Sequence, residues 1–217
     1  MIKMEKVSFS YKSEDKIQVS DLIIEIKAGE FVLLCGKSGC GKTTISKMIN
    51  GLIPHVIDGN YQGKVTIDNK AVREMETFEI AEKVGSIFQN PKTQFFNLDS
   101  DGELSFGLEN MGVEPRLIKA IVQNTINELA IENLKSRNVF ELSGGEKQIL
   151  AVASVYATNP EIYVFDEPSA NIDEYGIKKI REMLIKLKEQ GKTIIISEHR
   201  LYFLVDLIDK AIYLEDG

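Results

Sequence analysis

The sequence predicts an α/β fold built on a mostly parallel sheet. Three observations carry that expectation. Phe31–Cys35, Ile162–Phe165 and Thr193–Ser197 are short, dominantly apolar runs, the pattern of strands covered on both faces. Segments with apolar residues at helical spacing lie between them. Strands of that kind separated by helices imply crossover connections, and hence parallel pairing.

The elements follow in order. Val19–Lys27 mixes Val19, Leu22, Ile24 and Ile26 with Ser20, Asp21, Glu25 and Lys27, and reads as a half-buried strand. Ala28-Gly29-Glu30 is a turn, and Phe31–Cys35 runs into Gly36. Thr43–Leu52 places Ile45, Met48, Ile49 and Leu52 at helical spacing. Val65–Ile67 and Val84–Phe88 read as strands. The chain is irregular after Asn90 and helical over Asp101–Asn110, and Leu117–Leu129 carries one apolar helical face. A glycine pair opens a helix over Gly145–Thr158. Gly176–Gln190 is amphipathic and closed by Gly191, and Ala211–Leu214 is a last strand. The stretch from about Gly102 to Leu134 holds helices without a strand, as an inserted helical subdomain would.

With 217 residues the chain can form one large core or two small ones. Hydrophobic residues make up 43% and charged residues 27%, an ordinary globular balance. Apolar runs such as Phe31–Cys35 are far too short to cross a bilayer, and Met1-Ile2-Lys3-Met4-Glu5 lacks a signal-peptide core. Work at a membrane would need docking by a partner. A net charge of −7 argues against coating nucleic acid. Cys35 and Cys40 read as two reduced thiols, the first pointing into the core. The two histidines make no zinc cluster.

Gly36-Lys37-Ser38-Gly39-Cys40-Gly41-Lys42-Thr43 matches the phosphate-loop pattern G-x-x-x-x-G-K-[ST], between a predicted strand and a predicted helix. Glycines let successive N–H groups turn inward on phosphates, and the helix start adds its dipole. Lys42 would reach the β- and γ-phosphates of ATP, and the Thr43 hydroxyl would hold Mg²⁺. Thr44 continues the cradle. Ile162–Phe165 delivers Asp166 and Glu167 to the edge of the sheet where that loop lies. Asp166 suits Mg²⁺ and Glu167 suits a base toward the attacking water. Taken alone, the acidic pair reads equally well as a solvated strand end. Leu142-Ser143-Gly144-Gly145-Glu146-Lys147-Gln148 sets a second glycine pair at a helix start, a second anion cradle. One nucleotide cannot occupy two separate cradles, so the second would serve a nucleotide held by another subunit.

Gly36–Thr43, Leu142–Gln148, Phe165–Glu167 and His199, in this order, resemble the nucleotide-binding subunit of an ABC (ATP-binding cassette) ATPase over nearly the whole chain. The resemblance implies a P-loop nucleotide-hydrolase core of mostly parallel sheet flanked by helices. It also implies an antiparallel β N-terminal part and a helical subdomain over roughly 91–158, all in one cassette spanning 1–217. By similarity, two such subunits pack head to tail, either copies or unlike. Ser143, Gly144 and Gly145 would meet the γ-phosphate on the partner's loop, and Glu146 counts with them among the nucleotide-binding residues. Gln89 would touch Mg²⁺ and the attacking water and sense the transport partner. Tyr11 would stack on adenine, unless it is an ordinary strand aromatic. Ser169–Asp173 would cross to the partner, with Asp173 near its nucleotide. His199 would bond the γ-phosphate and orient Glu167.

Phe88-Gln89-Asn90-Pro91 with Gln94-Phe95-Phe96, and Glu103–Asn110, resemble energy-coupling factor (ECF) importers and the related cobalt and nickel importers. That likeness implies a transmembrane partner, a vitamin or transition-metal cargo, and a place on the cytoplasmic face of the membrane. A non-transport ABC ATPase acting on DNA or the ribosome is the alternative, but the chain shows neither heptads nor a basic stripe. Some residues depart from the pattern. Ser197-Glu198-His199-Arg200 stands where many relatives have Thr-His-Asp, Ile149 where arginine is frequent, and Asn171 where glycine is common. Such departures fit one weak site of an unequal pair. Family members usually continue past the last strand, so a longer native chain, one carrying two cassettes, is a further expectation.

Overall fold

The computed structural model describes residues 1–12, 16–170 and 172–215. β1 (Ile2–Tyr11) and β2 (Ile17–Ile26) pair antiparallel. β3 (Phe31–Gly36) enters the glycine loop, which opens α1 (Lys42–Ile49) and the single turn α2 (Leu52–His55). β4 (Gly59–Ile67) lies antiparallel to β1, and β5 (Lys70–Ala71) to β4. α3 (Thr77–Lys83) leads into β6 (Val84–Ile87). α4 (Ser100–Asn110), α5 (Pro115–Leu129) and α6 (Gly144–Thr158) follow. β7 (Ile162–Asp166), α7 (Glu174–Glu189), β8 (Thr193–Ser197) and β9 (Lys210–Leu214) complete the order.

Two sheets result. The antiparallel one has the order β2-β1-β4-β5, the other the order β6-β7-β8-β3-β9 with every pair parallel. Alternation along a strand explains why its strands are apolar on both sides. Phe31, Leu33, Phe165 and Ile196 pack against Leu150 of α6 and Leu184 of α7. Val32, Leu34, Val164 and Ile195 pack the other way, on Ile45 and Met48 of α1 and on Ile2, Met4 and Phe9 of the antiparallel sheet. Each such side chain contributes about 1.5–3 kcal/mol by leaving water.

Some elements differ from the sequence reading, each for a local reason. α1 stops at Ile49 rather than Leu52, because Gly51 turns the chain with φ 78°. β1 is a full ten-residue strand that its sequence does not advertise. Its register shifts between Met4 and Val7, and Lys6 has φ 48°, so the alternation slips. Only the end of β4 was legible, since Val65–Ile67 is buried and most of the strand before it is not. α3 was missed because Ile80 alone is buried in it. α6 belongs to the main core as well as to the helices before it: Leu104, Ile126 and Leu150 share one cluster with Phe165. A smaller cluster of Leu108, Ile118 and Ala157 lies apart.

The parallel register aligns Leu34 with Ser197 and Ser197 with Asp166. The carboxyl ends of β3, β8 and β7 therefore lie side by side, the edge where open α/β sheets hold ligands.

Candidate active site

The loop after β3 is shaped by its glycines. Gly36, Gly39 and Gly41 have φ of 142°, 78° and 102°, conformations that an L side chain resists. A Cβ at Gly36 would stand 2.3 Å from the Leu214 carbonyl oxygen, and one at Gly41 would stand 2.6 Å from that of Gln18. The α1 helix has Gly41 as its N-cap with no side-chain bond to the first turn, so its leading N–H groups face the cleft uncapped. Lys42 is 4% exposed. Its Nζ donates to the carbonyls of Gly36 at 2.9 Å and Lys37 at 3.0 Å, which centres the ammonium in the loop. A cleft of about 510 Å³ opens over Ser38, Gly39, Gly41, Lys42 and Thr43. Tyr11, Thr44, Lys47, Gln89 and Glu167 also line it. Tyr11 is fixed there by its hydroxyl, 3.2 Å from Thr44 Oγ1, and by the Lys47 ammonium 5.5 Å from its ring centre.

β7 brings the acids to the same edge. Thr43 Oγ1 donates to Asp166 Oδ1 at 3.2 Å, and Ser197 Oγ donates to the same oxygen at 2.6 Å. A hydroxyl beside a carboxylate is an all-oxygen pair. It suits Mg²⁺, which takes one or two protein oxygens and completes its shell with phosphate and water. Glu167 sits in the left-handed region, φ 48°, with its N–H donating to the Ser197 carbonyl at 2.9 Å. Its carboxylate is bracketed. Gln89 Nε2 donates to Oε2 at 3.0 Å, and His199 Nε2 stands 3.1 Å from Oε1. The Gln89 amide nitrogen is a donor only, so its oxygen is the atom it can offer a cation. Ser197 and Glu198, which the sequence marks only as a departure from the family pattern, complete the group. The signal was available in the register, since pairing Ser197 with Asp166 sets Glu198 beside Glu167.

The second cradle is built differently. Ser143 caps α6: the Glu146 N–H donates to Ser143 Oγ at 3.2 Å, and the Ser143 N–H donates to Glu146 Oε2 at 2.8 Å. Arg137 lies 3.1 Å from Glu146 Oε1. The Ser143 N–H above all holds the Glu146 carboxyl below its ordinary range; burial opposes it next, and the Ser143 hydroxyl and Arg137 add smaller lowering contributions. Glu146 thus serves the helix cap, and Gly144 and Gly145 are left to offer N–H groups outward. Ser143 and Gly144 are exposed, and none of the four lines the cleft beside Lys42. Gln148 Nε2 donates to the Phe88 carbonyl at 3.4 Å, tying α6 to the residue before Gln89. Asp173 caps α7 through the Gly176 N–H at 2.9 Å. In the expected crossing loop Ser169–Asp173, Asn171 lies outside the described residues. Cys35 is half-buried against the core, while Cys40 in the loop is buried, and both are free thiols. Burial chiefly, and Cys40 next, push the Cys35 thiol up, Lys42 opposing.

A parallel sheet with a glycine cradle, a buried lysine and two carboxylates at one edge defines a P-loop nucleotide-binding domain. The sequence model described as ABC transporter matches residues 19–170. An ABC transporter ATP-binding protein of Treponema denticola is 48% identical over all of this chain, which covers 44% of that protein. One of Pyrococcus abyssi is 36% identical over 100% of this chain and 78% of its own length. Among solved structures, CbiO1 of Clostridium perfringens, part of the transporter complex CbiONQ, superposes with a TM-score of 0.86 at 28% identity. The match covers 100% of this chain and 85% of that one. The cassette MJ0796, in a dimeric post-hydrolysis state with ADP and Pi, gives 0.86 at 26% identity, covering 100% and 95%. The chain belongs to the ABC transporter family and is an ABC-type ATPase domain. It spans less than half the length of the first curated relatives it matches.

Proposed function

We propose that this chain hydrolyses ATP as one half of a head-to-tail pair of cassettes and thereby energises a membrane transporter of the ECF type, carrying a vitamin or a transition-metal ion. One observation carries the paired reading: the chain holds two glycine cradles, and only one of them lines the cleft beside Glu167. A second cassette, a copy or a relative, would bring its Ser143–Gly145 equivalent over this cleft. Bound Mg²⁺, on Thr43 and Asp166 with Gln89 near, would neutralise phosphate charge. Lys42 holds the phosphates. Glu167, fixed between Gln89 and His199, accepts a proton from the attacking water.

Docking to a transmembrane partner is supported by an apolar groove of about 470 Å³ between α3, α4 and α6, with Phe78, Phe96, Phe106 and Met111 in its walls. Phe78 is 64% and Phe96 73% exposed. Gln94, another wall residue, bonds the Phe88 N–H and the Ser86 carbonyl, so a load on the groove reaches Gln89. Among the described residues no helix is long and apolar enough to cross a membrane, and we place the chain on the cytoplasmic face, held by that partner. The likeness to CbiO1 supports the ECF assignment, and we read 91–158 as the helical subdomain. Glu167→Gln tests the reading. Turnover falls by about 10²–10⁴-fold while ATP is retained and an ATP-bound pair accumulates on size exclusion. Unchanged turnover removes Glu167 as the base.

A further inference from the structure

Glu198 is a carboxylate with no part in the chemistry above, yet it is 4% exposed. A charge so buried persists only with strong partners. Its Oε2 accepts the Ser169 N–H at 3.1 Å, and its Oε1 accepts those of His199 at 2.7 Å and Arg200 at 3.0 Å. These are charge-assisted bonds to two different segments. Ser169 lies two residues after Glu167, and His199 contacts Glu167 itself. The flanking residues repeat the pattern, since Ser197 holds Asp166 and His199 meets Glu167. Three consecutive residues at the end of β8 thus grip Asp166, Glu167 and Ser169.

We propose that Glu198 is a positioning residue that fastens the 168–170 loop to the turn carrying His199, so that a partner cassette engaging the first sets the second against Glu167. The proposal rests on the paired-ATPase reading. A carboxylate that merely filled space would be replaceable by its amide, but here the two oxygens have separate duties. In Glu198→Gln the one remaining oxygen can keep His199 and Arg200, while the new amide nitrogen opposes the Ser169 N–H, donor to donor. The substitution cuts the fastening and spares the turn.

The test uses the full-length assembled protein, with steady-state ATP hydrolysis and peptide-resolved hydrogen exchange. In Glu198→Gln, kcat falls about tenfold while KM for ATP stays within about twofold. Exchange quickens at the peptide holding Ser169 and not at the one holding His199 and Arg200. Glu198→Asp keeps two acceptor oxygens and recovers most of the lost turnover. Unchanged kcat, equal losses in both variants, or exchange that rises equally in both peptides overturns the proposal alone. Absence of ATP turnover in the unsubstituted assembly overturns the paired reading and the proposal with it.

Discussion

The two helix starts that face phosphate chemistry, at α1 and α6, are made on opposite plans. α1 begins at a left-handed glycine with no side-chain cap, and its ammonium is held in the loop by two carbonyls. α6 begins with a reciprocal serine–glutamate cap that satisfies two of its own end groups. The first plan leaves donors unmatched until an anion arrives, so it suits phosphate binding within one chain. The second is satisfied by its own cap and keeps only two glycine N–H groups in reserve, which on the paired reading would serve a phosphate that a partner already holds. On the paired reading proposed above, the difference separates the cradle that would receive the nucleotide from the one that would report that a partner has closed.

The division can be broken by substitution. Lys42→Ala should act most strongly, weakening ATP binding by about 2 kcal/mol, roughly thirtyfold, in calorimetric titration whether or not cassettes pair. Ser143→Ala should leave unpaired ATP affinity alone and lower stability by about 1 kcal/mol, a fall of roughly 2–4 °C in thermal midpoint, through the lost cap. Paired turnover should fall further than that loss explains. If Ser143→Ala weakened ATP binding by the unpaired protein as much as Lys42→Ala does, the two-plan account would fail.

The smallest effect sharpens the second plan. The Glu146 carboxyl is held low in the folded protein, so its contribution is present above the ordinary value of 4.5 and lost as pH falls through the folded value. The unsubstituted protein should therefore lose thermal stability more steeply than Glu146→Gln below pH 4.5. The gap should stay under about 1 kcal/mol because the group is partly solvated. Parallel pH curves for the two proteins would remove Glu146 from the cap's energetics.

The site was more legible than the scaffold around it. Gly36–Thr43 shows in sequence because loop geometry demands glycines at fixed spacing, and Asp166 because an all-buried strand must end in something polar to be noticed. β7 and β8 announce themselves through burial on both faces. β1 does not, because its bulges break the period that would reveal it. α3 does not, because a helix with one buried residue carries no stripe. Glu198 was read only as a departure from the family pattern. Its role depends on Ser169, 29 positions earlier, and only the parallel register brings the two together.

Glu167 has φ 48°. Glycine and asparagine adopt that backbone more readily than glutamate does. With Glu167 as the proposed base, drift to either residue would silence hydrolysis while easing the backbone. On that reading, catalytic competence and foldability are decoupled at this position. A duplicated cassette would then become a regulatory passenger by one substitution, a change that ATP turnover and not the fold would record.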